Sequence, residues 1–591
     1  MKYSNFQVTS YVYAYMLKDY DEEDIQRRID IFKKYIPLSK VYIENHRGLV
    51  DVPQETLRKA KALFEKNGIK TSGGITSTGL VKGMRKPSIY DTYCFTDPNH
   101  REEYKRIVRE LSEVFDEIIL DDYFFTACKC KQCIEAKGAL SFQDYKLKLM
   151  EDFSKEIVTL SKEVNPNMNF IIKYPNWYES YQETGYNPEK QRNIFDMVFT
   201  GTESRNPDFS SQHIQQYESY YLIRWMENVA PGRNGGGWID PFGSEDNLSR
   251  YHWQVLLTAL AKAKELMLFN FDVMSERSGL ASLGAELKDL DEMMGKLGNP
   301  VGIAQYEPFN GEGEGQLPTY LGMCGIPMEP TPDFPEDAPV VFCTKSAAKD
   351  KDGVKKLMEY VKNGGTAVVT SGYFEECYDI LQDATSAKLT NRRITGQTYS
   401  IDNMQFDFSN VQTAFGRKDI TVRDLDYRTN ASWADILLMD REDATPLLTE
   451  DYYGDGRFFI LNLPDSFASL YDIPGEVIGT LAKHLSAGLP VYLKNSAKMN
   501  LFLYDNSTFA IMSYKPHGST AKVVLRDLNG TKEKPSVHGV RDLKTGQEYT
   551  DLLPQKQPMY KVDSCSYVEE PMEYLVEVPA FSGGMRFFEI I

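Results

Sequence analysis

The sequence predicts an α/β fold: a (β/α)8 TIM barrel, then a flavodoxin-like α/β domain, then a small C-terminal antiparallel β-sandwich. Three observations predict it. In about the first 305 residues, short apolar segments alternate with amphipathic ones, which indicates parallel strands joined by right-handed crossovers. Eight such units in about 300 residues match the size of a barrel. Further strands and helices follow to residue 490, and from there strands alternate without helices.

The eight predicted barrel strands are Gln7–Met16, Lys40–Glu44, Lys70–Thr76, Glu117–Asp122, Asn169–Tyr174, Met197–Gly201, Leu222–Glu227 and Leu266–Phe271. The helices predicted between them are Glu22–Tyr35, Glu55–Asn67, His100–Phe115, Phe142–Val164 and Leu248–Lys264. The seventh strand is also compatible with a helix. We expect the catalytic groups at the carboxyl ends of these strands, as in other barrels of this kind.

Domain boundaries follow from changes in composition. Residues 1–305 form the predicted barrel, and residues 306–335 are rich in Gly, Pro, Glu and Thr, which is typical of a linker or long loop. Residues 336–490 form the second α/β domain, which lacks a G-x-G-x-x-G turn and so predicts no dinucleotide site. Residues 491–591 form the predicted sandwich.

Overall charge excludes several classes of partner. The 591 residues include 67 Lys and Arg against 85 Asp and Glu, a net charge of −18. Nucleic acids and anionic membranes bind cationic surfaces, so neither is an expected partner. There is no apolar run of about 18 residues and no signal-peptide pattern at the start. We therefore expect a soluble protein, cytoplasmic or, with its signal removed, periplasmic.

Four cysteines form the strongest local motif. Cys128, Cys130 and Cys133 have the spacing C-x-C-x2-C just after the fourth strand, and Cys94 lies in the segment after the third. Neighbouring barrel loops can bring the four thiols together, and four thiolates suit a tetrahedral structural zinc ion. Free thiols, a disulfide or an iron–sulfur cluster are the alternatives. No motif for an organic cofactor is present.

Acidic residues at strand ends supply candidate catalytic groups. Asp121 and Asp122 close the fourth strand, and adjacent strand residues point to opposite faces, so at most one points straight into the barrel mouth. Glu227 follows the predicted seventh strand, and Glu203 follows the sixth. Glycosidic bond cleavage requires two such carboxyl groups.

Other polar and aromatic residues near the strand ends are candidates for substrate binding, and an aromatic content of 12% suits stacking on sugar rings. The predicted substrate-binding residues are Glu44, His46, Asp121, Tyr174, Trp177, Glu203, Arg205, Trp238 and Asp272.

These segments resemble glycoside hydrolase family 42, the β-galactosidases. Asp121-Asp122-Tyr123 followed by the cysteine cluster resembles that family's Asn-Glu-Tyr segment, and the segment Cys94–Tyr104 resembles the one that supplies its fourth zinc ligand. The segment Trp225–Asn228 with Trp238 resembles its nucleophile segment. The resemblance implies Asp122 as acid/base, Glu227 as nucleophile, and a trimer formed through the second domain. Asp121-Asp122 in place of Asn-Glu is a departure from the family.

Three functional hypotheses follow. The first is a retaining exo-glycosidase, β-galactosidase-like, that acts on an oligo- or polysaccharide of plant or host origin through Asp122 and Glu227. The second is a retaining α-glycosidase with Asp121 or Asp122 as nucleophile and Glu203 as acid/base. The third is a glycan-binding barrel without activity. A metal-dependent lyase or isomerase is disfavoured, because only His46 is placed to be a ligand.

Overall fold

The computed structural model describes residues 2–78, 92–208, 214–244, 247–276, 279–401, 412–427, 431–441, 443–531, 534–555 and 572–591. The chain divides into two units, Met1–Gly295 and Lys296–Ile591. Within the described ranges, no helix has both the length and the apolar character needed to cross a membrane.

The first unit is a closed barrel of eight parallel strands. Its strands are β1 Gln7–Val12, β2 Lys40–Arg47, β3 Lys70–Ile75, β4 Glu117–Leu120, β5 Asn169–Tyr174, β6 Met197–Gly201, β7 Asn234–Ile239 and β8 Glu265–Leu268. Each strand pairs in parallel with the next, and β8 pairs with β1 to close the barrel. A two-residue strand, Val50–Asp51, pairs antiparallel with the end of β2. The predicted TIM barrel is confirmed.

Helices surround the barrel. They are α1 Ala14–Asp19, α2 Glu22–Tyr35, α3 Gln54–Lys66, α4 Pro98–Ser112, α5 Lys131–Lys137, α6 Phe142–Val164, α7 Tyr181–Thr184, α8 Pro188–Gln191, α9 Glu218–Val229, α10 Leu248–Leu260, α11 Phe271–Glu276 and α12 Leu280–Met294. The side chains of Asp21, Asp97, Ser141 and Asn247 accept backbone N–H groups at the starts of α2, α4, α6 and α10. Such caps satisfy donors that have no partner inside the helix.

The predicted seventh strand is wrong. Residues Leu222–Glu227 lie in α9, and the seventh strand is β7, which begins five residues after that helix ends. Three glycines in β7 resemble a loop in the sequence, yet the barrel requires them. A Cβ on Gly236 would collide with the carbonyl oxygen of Glu265, and one on Gly237 would collide with Thr258. Glycine in a strand marks such a close approach.

Aromatic and aliphatic side chains fill the barrel interior: Tyr11, Tyr42, Ile119, Ile171, Phe199, Trp238, Met267 and Phe269. Near the amino ends of the strands, Lys40 Nζ lies 2.8 Å from Glu117 and 2.6 Å from Glu265. The interior is therefore a packed core, and space for a substrate remains only at the carboxyl ends of the strands.

The second unit begins with a nine-stranded mixed sheet. Its five parallel strands are, in spatial order, Met328–Thr331, Ile303–Tyr306, Val340–Cys343, Thr366–Thr370 and Gly456–Leu461. This is the order 2-1-3-4-5, one of the doubly wound orders. Four antiparallel strands extend the sheet: Asp443–Tyr453, Trp433–Asp440, Ala387–Ile401 and Gln412–Tyr427. The helices of this unit are Leu317–Met323, Gly353–Lys362, Ser371–Glu376, Tyr378–Leu381 and Gly475–Leu485.

Residues 306–335 do not form a linker. They contribute the helix Leu317–Met323 and the edge strand Met328–Thr331, which pairs in parallel with Ile303–Tyr306. Several of the glycines and prolines that indicated a linker lie in the turns around these two elements, but Pro318 and Gly322 are in the helix and Pro330 is in the strand. The second α/β domain therefore begins before residue 306 rather than at residue 336.

Two antiparallel sheets complete the second unit. One contains Pro300–Val301, Met499–Tyr504, Thr508–Ser513, Met585–Ile590, Val540–Asp542 and Glu548–Tyr549. The other contains Val491–Leu493, Ser519–Asp527, Met572–Ala580 and Leu553–Pro554. Alternate side chains of both sheets share one hydrophobic core, which includes Leu501, Phe509, Val523 and Val576. This is the predicted β-sandwich.

Candidate active site

Three carboxyl groups surround one buried ammonium group at the barrel mouth. The Nζ atom of Lys173 lies 2.9 Å from Asp122 Oδ2 and 3.0 Å from Glu203 Oε1. It lies 3.6 Å from Asp121 Oδ1. Asp122 Oδ2 and Glu203 Oε1 are therefore at most about 6 Å apart. This limit is compatible with the separation of about 5–5.5 Å that a retaining glycosidase needs.

Lys173 lies in β5, between the strands that carry the acids. Its side chain is 1% exposed, and its ammonium nitrogen lies 4.3 Å from the centre of the Trp238 ring. Burial alone would lower the pKa of Lys173, but the charges of Asp122, Glu203 and Asp121 raise it above its ordinary value. The group is therefore a fixed positive charge beneath the carboxyl groups.

Asp122 and Asp121 have opposite protonation tendencies. Burial, followed by the charges of Asp121 and Glu203, raises the pKa of Asp122 to about 7, although Lys173 opposes the shift. Burial would also raise the pKa of Asp121, but the cations Lys173 and Arg47 lower it below its ordinary value. At neutral pH, Asp122 can thus donate a proton while Asp121 stays ionised. The side chain of Asp122 is 18% exposed, which leaves it open to a substrate.

Glu44 belongs to a hydrogen-bonded network beside the acids. Arg47 Nε donates to Glu44 Oε2 at 3.0 Å, and Arg47 Nη2 donates to Asp121 Oδ2 at 3.2 Å. Glu44 also accepts from the hydroxyl group of Tyr11 at 2.9 Å, from the backbone N–H of Ala14 at 2.7 Å, and from Thr76. Its side chain is fully buried, so it orients Arg47 within this arrangement.

Sequence reasoning missed Asp240. It directly follows β7, and its Oδ2 accepts from Arg205 Nη2 at 3.0 Å. Burial and the charge of Glu203 raise its pKa to about 6 against the effect of Arg205. The signal was present as an acid after a strand, but the seventh strand had been placed one element too early.

Glu227 lies outside the site. It is in the last turn of α9, and its Oε1 accepts the backbone N–H of Gly232 at 2.8 Å. This turn precedes β7, so Glu227 lies near the amino end of that strand, whereas Asp122 and Glu203 lie at carboxyl ends. The structure therefore contradicts its predicted role as nucleophile.

Tyr174 points away from the mouth. Adjacent strand residues face opposite sides, and Lys173 faces inward, so Tyr174 faces the helices. There it packs against Tyr181 and Tyr186. Its hydroxyl group lies 3.4 Å from Gln191 Oε1. The structure contradicts its predicted contact with substrate.

His46 and Asp272 are engaged in other contacts. His46 Nδ1 lies 2.7 Å from Asp51 Oδ1, and His46 Nε2 lies 3.4 Å from the Tyr93 hydroxyl group. Asp272 Oδ1 accepts from Arg28 Nε at 2.8 Å. Both contacts fix the loops that follow the strands, and neither residue contacts the three acids around Lys173 within the part of the chain that the structure describes.

Two tryptophans lie near the carboxyl ends of β5 and β7. Trp238 forms the floor, stacked on Phe269 with ring centres 5.0 Å apart. Trp177 lies after β5, edge-on to Phe125 with ring centres 6.0 Å apart. Contact of either tryptophan with a substrate stays a prediction.

The four cysteines are together, as predicted. The Sγ atoms of Cys94, Cys128, Cys130 and Cys133 all lie within 4.8 Å of one another. Three of the separations are 3.8, 3.6 and 3.7 Å: Cys94 to Cys130, Cys94 to Cys133, and Cys130 to Cys133. A tetrahedron with metal–sulfur bonds of about 2.3 Å has sulfur–sulfur edges of about 3.8 Å. The cluster therefore fits a tetrahedral metal ion.

Residues 1–295 match the family model described as "Probable glycosyl hydrolase, catalytic domain". Residues 298–466 match "Uncharacterized protein SSO3021, second domain". A curated relative, the uncharacterized protein SSO3021 of Saccharolobus solfataricus, is 27% identical over 293 residues, or 45% of this chain. That match spans only 48% of the relative's own length.

Solved structures share the fold of the whole chain. A cold-adapted β-galactosidase from Rahnella sp. R3 has a TM-score of 0.65 at 11% identity, over 100% of this chain and 99% of its own. A β-galactosidase from Bacillus circulans sp. alkalophilus has a TM-score of 0.63 at 11% identity, over 99% of both chains. The exo-β-1,4-mannosidase Op5Man5 from Opitutaceae bacterium strain TAV5 has a TM-score of 0.54 at 11% identity, over 78% and 92%.

The catalytic-domain match covers the barrel that holds the carboxyl groups described above. One further β-galactosidase, Gan42B, is described as a family 42 enzyme and has a TM-score of 0.61 at 12% identity. Its match covers 99% of this chain and 98% of its own, and so includes residues of both units. Residues 1–295 therefore match a probable glycosyl hydrolase catalytic domain, and the chain shares its fold with the family 42 β-galactosidases.

Proposed function

We propose that the chain is a retaining glycosidase in which Asp122 is the acid/base and Glu203 the nucleophile. The observation that carries the proposal is the contact of Lys173 with both carboxyl groups, which limits their separation to about 6 Å. Glu203 replaces Glu227 of the sequence-based hypothesis. It follows β6, two strands from β4, which Asp122 follows, as the α-glycosidase hypothesis requires, although with the two roles exchanged.

The side chains support a double displacement. Protonated Asp122 donates its proton to the glycosidic oxygen as the bond from this oxygen to the anomeric carbon breaks. The carboxylate of Glu203 attacks that carbon and forms an ester. A water molecule then gives a proton to Asp122 and attacks the anomeric carbon, which releases the sugar and restores the carboxylate of Glu203.

We propose that the substrate is an oligo- or polysaccharide cleaved from one end. The Trp238 floor and the Trp177 rim supply apolar faces for a sugar ring, and ionised Asp121 supplies an acceptor for a hydroxyl group. The hydrogen-bonded network of Glu44, Arg47 and Thr76 contacts Asp121, and this proposal takes it as the closed end of the sugar-binding cleft.

A panel of aryl α- and β-glycosides tests this function, with the anomer of the first-formed product read by proton NMR. Retention of configuration with one anomer supports the proposal. Inversion would require a wider separation of the two carboxyl groups and would exclude Glu203 as nucleophile. The length of products from an oligosaccharide labelled at its reducing end then separates cleavage at an end from internal cleavage.

We further propose that the cysteine cluster holds a structural zinc ion. Four thiolates leave no open coordination position, so the ion would fix the loops after β3 and β4 rather than take part in catalysis. Cysteine binds metal as the thiolate, so binding of the ion would release the protons of the four thiols.

Self-association through the second unit is a separate proposal, and a trimer is the expected form. The strand Gln412–Tyr427 is the edge of the mixed sheet, and Phe415 on it is 70% exposed. An exposed edge strand is a ready template for pairing with another chain. Light scattering should give about three times the chain mass of 67.6 kDa, and a monomer at micromolar concentration would exclude this proposal.

A further inference from the structure

We propose that Lys173 is a positioning residue that passes its ion pair from Glu203 to Asp122 and back within each catalytic cycle. The inference rests on the proposed function, because it uses the two carboxyl groups assigned there. It adds a role for a group that is itself neither acid nor nucleophile.

The geometry supports a shared ion pair. The two carboxylate contacts of Lys173 are nearly equal, at 2.9 Å to Asp122 and 3.0 Å to Glu203. An ammonium group carries three N–H donors, so it can serve both without moving. The side chain is 1% exposed, with the Trp238 ring beside its ammonium group, and this leaves it little room to turn away.

The charges of the reaction explain why this arrangement helps. Before the first step, Glu203 is ionised and Asp122 is protonated, so Lys173 is paired with Glu203 and, at 3.6 Å, with Asp121, which stays ionised throughout. When Asp122 gives its proton to the leaving oxygen and Glu203 becomes an ester, the negative charge moves to Asp122. Lys173 is already 2.9 Å from this new charge. The second step returns a proton from water to Asp122 and restores the carboxylate of Glu203, so no net charge is gained or lost.

A fixed cation between the two groups lowers the barrier in both steps. Charge developing on Asp122 meets an oriented partner, and no solvent has to reorganise around it. Removal of the cation should disfavour the ionised form of each carboxyl group. Other charged or titratable groups facing this cluster are Asp121, Tyr123, Arg47, Arg205 and Asp240.

The pH profile of Lys173→Met tests the inference. The acid limb of kcat/KM reports ionisation of the nucleophile, and the alkaline limb reports loss of the proton from the acid. Both limbs should move upward by about one pH unit or more, since a nearby opposite charge lowers a carboxyl pKa by about 1–3 units. We expect kcat/KM to fall by about 100-fold, as for loss of one preorganised donor. Lys173→Arg, which keeps the charge, should return both limbs toward the wild-type positions.

Lys40→Met is the matched control. Lys40 also joins two carboxylates, Glu117 and Glu265, but near the amino ends of the strands. Its removal should lower the melting temperature without moving either limb by more than about half a pH unit, because it lies roughly four residues, or about 13 Å, below the mouth. If Lys173→Met affected stability alone, it would therefore lower the melting temperature and leave the pH profile in place, as is expected for Lys40→Met.

The outcomes separate the two proposals. The proposed function is supported if Glu203→Gln is inactive and the pH profile of Asp122→Asn loses its alkaline limb. If Lys173→Met nevertheless keeps both limbs in place, the inference about Lys173 is wrong and the proposed function stands. If Glu203→Gln keeps wild-type activity, the proposed function fails first. If Lys173→Met does not fold, Lys173→Gln takes its place. A pH profile of kcat/KM with both limbs unchanged in Lys173→Gln would overturn the inference, and one with both limbs shifted to higher pH would support it.

Discussion

The ammonium nitrogen of Lys173 lies 4.3 Å from the centre of the Trp238 ring. Trp238 is itself packed against Phe269 and against Tyr11, whose ring centre is 4.8 Å away, in the aromatic layer that fills the barrel. The lysine is therefore supported from below by rigid rings and contacts the carboxyl groups of the mouth above. A cation held in this way stabilises charge without a change of position during the reaction.

Asp122 is expected to set the alkaline limit of activity. Its pKa is raised to about 7, first by burial and then by the charges of Asp121 and Glu203. The first step needs the protonated form, so kcat/KM should fall as the pH rises through about 7. Asp122→Asn should slow the hydrolysis of alkyl glycosides by about 100- to 10,000-fold, while activated aryl glycosides still react in the first step.

Azide provides the control for Asp122. A small anion can take the place of water in the second step without help from a base. Added azide should therefore restore turnover of aryl glycosides by Asp122→Asn and should not restore Glu203→Gln. An alkaline limit that persists unchanged in Asp122→Asn would exclude Asp122 as the acid.

Glu203 is expected to be indispensable, because it forms the bond to the anomeric carbon. Glu203→Gln should lower kcat/KM by about 10,000-fold or more, in the range found when a nucleophile is removed. Glu227→Gln is the matched control, because Glu227 bonds only a turn N–H next to the amino end of β7. Its steady-state kinetics should stay close to wild type. Loss of activity in Glu227→Gln at unchanged stability would contradict this assignment.

Asp240 tests whether the seventh strand carries the nucleophile instead. It is bound to Arg205, and we expect Asp240→Asn to weaken this contact and to lower kcat/KM by about tenfold, equivalent to about 1.4 kcal/mol. Mass spectrometry of the enzyme trapped with a 2-deoxy-2-fluoro glycoside should locate the modified residue. A label on Asp240 rather than Glu203 would reverse the assignment.

Removal of one thiol should release the metal and leave the chemistry intact. Cys130→Ser should abolish binding of one zinc ion per chain and lower the melting temperature by about 3 °C, which corresponds to roughly 2 kcal/mol for a unit of this size. Its pH profile should match wild type, since the thiols do not contact Asp122 or Glu203 in the described residues. Elemental analysis that finds no zinc in the wild-type protein would refute the metal assignment.

Gly236 is expected to be essential for barrel closure. A Cβ at this position would meet the backbone of Glu265, which cannot move away without breaking the pairing of β7 with β8. Gly236→Ala should lower the free energy of unfolding by about 3 kcal/mol. Gly235→Ala is the control, because its Cβ would meet side-chain atoms of Met197 and Phe199 at 3.2 Å, which can adjust. Urea denaturation followed by fluorescence should show the larger loss for Gly236→Ala.

Seven of the eight barrel strands could be predicted because most of them, unlike β3, are apolar segments followed by polar residues. Asp121, Asp122 and Glu203 were identified in the same way, from their positions after such segments. The cysteine cluster followed from spacing and from the adjacency of neighbouring barrel loops. These features depend on local sequence, and the fold places them as the local pattern indicates.

The seventh strand and Glu227 could not be predicted for one physical reason. Helix α9 is buried on several sides, so Tyr220, Leu222 and Met226 give an apolar run without helical periodicity. The true strand contains Gly236 and Gly237, whose lack of side chains reflects contacts with Glu265 and Thr258 that are distant in sequence. Such contacts are invisible until the barrel is closed.

The glycines of β7 also indicate how more distant relatives of this barrel could be recognised. Close packing of β7 against β8 and α10 imposes small residues at two successive positions, Gly236 and Gly237, and the acid that follows the strand is fixed relative to them. The resulting sequence signature is two small residues, an aromatic residue and, two positions later, an acid. This signature should persist when the rest of the sequence has diverged. Alignments anchored on Gly236, Trp238 and Asp240 should therefore place the seventh strand correctly where alignments anchored on Met226 and Glu227 would shift it by one element.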